Sequence, residues 1–595
     1  MKQQPMRNEV EESRKWRLED IFPNDEEWER GFARITEMTP KLTVFRGRLS
    51  DPHALLEALN FSVEAEQLIE KVYAYARMHR DEDNTNSKFQ AMSAKAMTAM
   101  TRFEEEASFM SPELLAIPQD MLDTFYDQEK GLLPYKRHIN EIVRKRAHVL
   151  SEKEEKLIAL TAEMSEGAKT AFTMLNNADM KFGNVEVDGE EVELTHGRYG
   201  VLLRHNDRRV RKDAFTTLYE QYDRQKNTLS ALLTASLKSD LFYTRARGYE
   251  SVLAASLFED NVPIPVYQGL VEAVHDRIAS LHRYVSMRKK AFDIEKVHFY
   301  DLYAPMVKGA DKQMDYAAAV NTVKAALAPL GDDYLKSLDT AFQTRWIDVE
   351  ENKGKTSGAY SWGVYGVHPY VLLNWQDDLE NTFTLAHELG HAMHSKYSFE
   401  AQPYVDAHYK IFVAEVASTV NEALLMEYLI QKAPGETEKA ILLNHYLENF
   451  RTTFFRQTMF AEFEMLIHGL EQKGEALTQE TMCGRYAQMN QFYHGPDIEM
   501  DPQIALECLR IPHFYNSFYV YKYATGFASA IAITKAILSG EAGAVDRYLT
   551  FLKGGGSDYP LELLKKAGVD LFTPAPVMNC IDVFDKTLDQ LEKLL

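Results

Sequence analysis

The apolar positions of the chain fall into two periods. Over residues 24–175 they recur at helical spacing, which predicts successive amphipathic helices, among them 53–80, 86–110, 113–130 and 151–175. The period then changes to two. Lys181 to Val187 and Glu190 to Thr195 alternate around Asp188-Gly189, the signature of a β-hairpin. Helical periodicity resumes at Arg208 and runs to about 340, with breaks at Gly248, at Pro263-Ile264-Pro265 and around 305–312. A soft boundary near residue 200 therefore separates a helical part, 1–200, ending in the hairpin, from a mainly helical part, 201–595. The expected fold is mainly α with a small sheet.

The densest chemistry lies in the stretch from Gln376 to Glu400, which no proline interrupts. Asp377, Asp378 and Glu380 suit the first turn of a helix. Residues 387–391 read His-Glu-Leu-Gly-His. On a helix, His387 and His391 lie one turn apart on one face and can hold one zinc ion. Glu388 lies beside them and can act as general base. His394 falls on the same face. A fourth ligand would close the site, so His394 reads as a supporting or structural residue.

A catalytic zinc takes three protein ligands and keeps a position for water. Lys410 to Lys432 has helical periodicity and no Gly or Pro. Within it, Glu415 sits among Phe412, Val413, Ala414, Val416 and Ala417. A carboxylate is costly to bury there unless it meets a cation or a donor. Glu415 is thus the expected third ligand, the alternative being an ordinary pair with Arg or Lys. Ala414, Ala417 and Ser418 are small enough to let two helices approach. Glu422, seven residues on, shares the Glu415 face and can receive an imidazole N–H.

With these residues in view, the chain resembles the oligoendopeptidase F branch of the thimet-oligopeptidase family of zinc metallopeptidases. The resemblance rests on TLAHELGHAMHS (384–395), FVAEVASTVNE (412–422), GAYSWGVYGVHPYVLLNW (358–375), IPHFYNSFYVYKYATG (511–526), GGGSDYPLELLKKAGVD (554–570) and WRLEDIF (16–22), and so spans nearly the whole chain. It implies a two-lobed, mainly α fold with zincin-type catalytic helices and a deep channel between the lobes. It also implies internal cleavage of short peptides, with His387, His391 and Glu415 on Zn²⁺. The family's pattern points to His513 and one or more of the tyrosines of 515–523 as oxyanion donors. Of these, Tyr519 and Tyr521 are the expected donors. Helical spacing puts Tyr515, Tyr519 and Tyr523 on one side and Tyr521 elsewhere, and spacing alone does not choose among them.

Other segments change the picture less. Pro369 precedes the apolar run Tyr370 to Asn374, a short strand that either pairs with an extended peptide as a sheet edge or is simply core. Lys553 to Tyr559 is Gly-rich without a phosphate-loop ending, and reads as a mobile loop near the channel or a surface connection. The net charge of −22 disfavours nucleic acid or an anionic membrane as partner. No apolar run is long enough to span a membrane, and the polar first twenty residues lack a signal-peptide core, so a cytoplasmic protein is expected. Cys483, Cys508 and Cys580 are few and widely spaced, as free thiols are. Two other activities share these motifs: a zinc exopeptidase, either peptidyl-dipeptidase or carboxypeptidase, and a non-catalytic peptide-binding scaffold. The sequence leaves the oligomeric state open.

Overall fold

Helices dominate the computed structural model of the protein, which describes residues 4–307, 309 and 313–595. The break expected around 305–312 lies partly outside the described residues. Asp188 and Gly189 adopt φ of 52° and 87°, the left-handed pair of a type I′ turn, and join β1 (Asn184–Val187) to β2 (Glu190–Glu193) in antiparallel register. The helix expected at 53–80 runs Pro52–Glu82, begun by Asp51, whose side chain accepts from the Ala54 N–H. The helix expected at 113–130 is instead two, Met110–Ala116 and Gln119–Gln128. Pro118 disfavours helical backbone at Ile117 and forces the break. The helix expected at 151–175 is also broken, into Glu152–Leu160, Ala162–Ser165 and Gly167–Met174.

The chain divides into two compact units, each drawn from three stretches. The first comprises Met1–Ala147, Asp311–Tyr428 and Ile533–Gly568, and the second His148–Ala310, Leu429–Ala532 and Val569–Leu595. The boundary expected near residue 200 therefore falls inside the second unit. Periodicity registers local structure, and these units are built from segments far apart in sequence.

In the first unit Trp16, Trp28, Tyr75, Phe103, Tyr370 and Leu372 share one apolar core. A three-stranded sheet joins it in the order β3 (Ile347–Asp348), β5 (Tyr370–Leu372), β4 (Tyr360–Trp362). β5 is central, parallel to β3 and antiparallel to β4. The strand at 370–374 is thus core, and β4 forms an edge. Asp348, fully buried on β3, is held by Lys355 at 2.7 Å and Arg7 at 2.8 Å, so its charge is paired where water is absent.

In the second unit the helix Arg208–Ala246 runs for 39 residues and ends before Gly248, whose φ of 72° is the left-handed stop that glycine supplies best. Among the described residues, no helix is long and apolar enough to cross a membrane.

Candidate metal centre

The Asp378 carboxylate caps the helix Leu379–Ala401, accepting from the Asn381 N–H at 2.7 Å. One face of this helix, carrying Leu385, Ala386, Leu389, Ala392 and Met393, is fully buried. His387 and His391 stand beside that face, partly open. The helix Ile411–Lys432 packs against it. The contact is close because Gly390 has no side chain: a Cβ there would stand 2.7 Å from the Ala417 carbonyl oxygen. Asn421 locks the pair, donating to the Ala386 carbonyl at 3.0 Å and accepting from the Tyr334 hydroxyl at 3.0 Å.

This packing brings three donors to one point. His387 Nε2 lies 3.2 Å from His391 Nε2, and each lies 3.4 Å from Glu415 Oε2. Tetrahedral coordination at bonds of 2.0–2.1 Å separates donors by about 3.3 Å. The triangle therefore has the right size for one tetrahedral cation. Among the described residues, His387, His391 and Glu415 form the one group of His, Cys, Asp and Glu suited to hold a metal ion. His394 takes no part. It is 1 % exposed and stacks on Tyr409 with ring centroids 3.7 Å apart, and burial lowers its imidazole to about 3.

The surroundings orient the donors. His387 Nδ1 lies 3.1 Å from Glu422 Oε1, so the carboxylate takes that N–H and turns Nε2 toward the common point. Burial pulls the His387 imidazole down, yet Glu415 and Glu422 reverse this and raise it to about 10. Burial pushes the Glu415 carboxyl up, and the two imidazoles outweigh it and hold it well below the usual range. The site thus draws positive charge strongly, a demand that a divalent cation meets with neutral imidazoles. Glu388 is 6 % exposed, and burial pushes its carboxyl up against the pull of both histidines. It combines the chemistry of a proton acceptor with a position next to His387 in the chain.

His513, Tyr519 and Tyr521 belong to the second unit. Segment 511–526 is not one continuous helix. Pro512–Tyr515 forms a single 3₁₀ turn, Phe518 adopts φ of 57°, and the α-helix begins at Tyr521. Tyr515 therefore does not share a helical face with Tyr519 and Tyr523. The left-handed Phe518 is fixed by its N–H, which donates to Glu464 Oε1 at 2.9 Å. The rings of Tyr519 and Tyr523 lie 6.3 and 5.9 Å from that of His513, and all three are half-buried. Tyr521 is 1 % exposed, with its ring 4.9 Å from Tyr267 in the core of this unit, where a phenol is out of reach of a peptide. Burial, then the Arg456 charge, lower the His513 imidazole below its ordinary value.

The Gly-rich loop is anchored within the first unit. The Gly556 N–H donates to the Asp406 carbonyl at 2.7 Å, and Gln402 Nε2 to the Lys553 carbonyl at 2.7 Å, just beyond the end of the helix bearing His387. Sequence reasoning did not single out Gly390 or Asn421. A glycine inside a strong helical pattern was the available signal for the first.

Comparison with known proteins agrees with this geometry. The profile of Peptidase family M3 matches residues 201–582, and that of Oligopeptidase F matches residues 113–182. The chain is 44% identical over 595 residues to oligopeptidase PepF of Bacillus subtilis (strain 168), covering 100% of this chain and 89% of that protein. It is 39% identical over 591 residues to group B oligopeptidase PepB of Streptococcus agalactiae, covering 99% and 98%. The solved oligoendopeptidase-F of Enterococcus faecium superposes with a TM-score of 0.74 at 35% identity, over 96% of this chain and 99% of that one. A solved chain from Chlamydophila abortus superposes with a TM-score of 0.95 at 33% identity over 100% of both. With a His-His-Glu group that could hold a metal ion on two packed helices, the chain belongs to peptidase family M3, a family of metalloendopeptidases, and to its oligoendopeptidase F branch.

Proposed function

We propose that the protein is a zinc endopeptidase that hydrolyses internal bonds of short peptides. The observation that carries this reading is the convergence of His387 Nε2, His391 Nε2 and Glu415 Oε2 on one point, with Glu388 next to His387 in the chain. Those three residues would hold Zn²⁺, and Glu422 would keep His387 in the ligating tautomer. A bound zinc supplies Lewis acidity toward the scissile carbonyl and lowers the pKa of a coordinated water. Glu388 accepts a proton on its carboxylate as water attacks, then returns it to the leaving amine. The family resemblance alone supports His513 and Tyr519 as hydrogen-bond donors to the developing oxyanion. Tyr521 acts from the core by fixing the start of the helix that carries Tyr523.

Short peptides as substrates are supported by the relatives, which are named oligopeptidases. β4 supports an extended binding mode, because an edge strand offers unpaired backbone groups to a peptide. Buried free thiols at Cys483, Cys508 and Cys580 suit a reducing compartment, and the cytoplasm is the location we propose.

The test is mass spectrometry of synthetic peptides of graded length incubated with the protein. A parallel sample is treated with a chelator and then resupplied with zinc. Internal cuts that vanish with chelator and return with zinc are expected. Cuts confined to the termini would assign an exopeptidase, and saturable binding without any cut a scaffold.

A further inference from the structure

Away from the metal centre, the second unit holds a small cavity of about 30 Å³ whose walls include Arg451, Arg456, Arg510, Tyr303, Tyr219 and Glu507. One water needs about 10–15 Å³, so this space admits a small ion and little more. Its charges do not balance. Glu507 is shared between Arg456 at 2.7 Å and Arg510 at 3.3 Å, and also accepts from the Tyr486 hydroxyl at 2.5 Å. Arg451 pairs with Glu448 at 2.7 Å, which Arg288 also contacts at 3.3 Å. Each carboxylate is thus divided between two guanidiniums, inside a protein whose net charge is −22.

The donors are also underused. Among the described residues, Glu507 is the hydrogen-bond partner of Arg456, which leaves most of that five-donor fork without a protein acceptor. The Tyr219 hydroxyl accepts from Arg510 Nε at 3.2 Å, so its own proton is directed elsewhere. The Arg451 guanidinium lies 4.5 Å over the Tyr303 ring. Burial alone would raise the Tyr303 phenol, yet Arg456 and Arg451 more than reverse this and lower it. That is the mark of a locally positive interior.

We infer that this cavity binds one small monovalent anion, a halide or the carboxylate of a small acid, held by Arg456, Arg510 and the surrounding tyrosine hydroxyls. An anion there supplies the missing countercharge and acceptor together. Arg510 lies just before the Pro512–Tyr515 turn that carries His513, so occupancy also steadies that segment.

Two measurements test this on the full chain. Thermal unfolding is followed as chloride replaces gluconate at constant ionic strength. A saturable rise in Tm of about 2–4 °C is expected, with at least a tenfold weaker midpoint in Arg456→Gln. Acetate run in place of chloride separates the two ligand classes: a matching rise assigns carboxylates as well, and no rise restricts the site to halides. Crystals grown in bromide should give an anomalous peak between Arg456 and Tyr303. A Tm that responds to neither chloride nor acetate, or bromide crystals without that peak when chloride raises the Tm, would overturn the proposal. The bromide result stands even if Arg456→Gln does not fold.

Discussion

The Ser418 Cα lies 2.5 Å from where a Cβ on Gly390 would stand. The obstacle is backbone, so it cannot rotate aside. Gly390→Ala must move the helix bearing Glu415 away from the one bearing His387 and His391. The expected result is a loss of about 1–3 kcal/mol of stability from overpacking, despite alanine's better helix propensity, together with weaker metal retention. Denaturant unfolding and metal content after dialysis check both. A variant as stable and as metal-tight as the parent would show that the helix spacing does not set the site.

Glu422 holds His387 through the nitrogen that faces away from the metal point. Glu422→Ala should retain the fold and lose about 10–100-fold in metal affinity, measured by competition with a chelating dye. Unchanged affinity would mean that packing alone orients the imidazole.

Glu388→Gln removes the proton acceptor while keeping the shape. Metal content should match the parent, and turnover of a fluorogenic peptide should fall by about 10²–10⁴. Turnover at the parental rate would remove Glu388 from the mechanism.

Acid stability should depend on Glu507. Burial alone would raise its carboxyl, but Arg456 and Arg510 outweigh it and hold the folded value at about 2, against an ordinary value of 4.5. A lowered folded pKa stabilises the protein above the unfolded value and loses that contribution as pH falls toward the folded one. Wild type should therefore lose about 2–3 kcal/mol from this group between about pH 4.5 and pH 2. In urea titrations, the stability gap between wild type and Glu507→Gln should narrow over that window. A constant gap across it would mean that the Glu507 charge is not coupled to folding.

Local signals in the sequence carry most of the helices, the Asp188-Gly189 hairpin and the His387/His391 pair, because each rests on spacing within one element, whereas Glu415, on a second helix, stands out only by the cost of a carboxylate among apolar neighbours. The step from Glu415 to Glu422 predicts a shared face, and Glu422 meets His387 from that face. What spacing misses depends on partners far away. Whether Tyr370–Leu372 is edge or centre is decided by β3 and β4, and only their pairing makes it central. The helical spacing expected of Tyr515, Tyr519 and Tyr523 fails at Phe518, whose left-handed backbone is held by Glu464 from another element. The charge imbalance around Glu507 is invisible along the chain, since Arg451 and Arg456 come from a different segment.

The assembly of each unit from three stretches has a consequence for biosynthesis. The first unit waits for Ile533–Gly568 and the second for Val569–Leu595, so neither can be complete on the ribosome before its last stretch, which begins at Ile533 or Val569, has been made. At about 5–20 residues per second, making 595 residues takes roughly 30 s to 2 min. Through that interval the nascent chain carries apolar helix faces that have not met their partners, and such faces are what chaperones bind. A reporter that responds to native structure should thus switch on late and abruptly during synthesis, where a chain of consecutive domains would respond in steps.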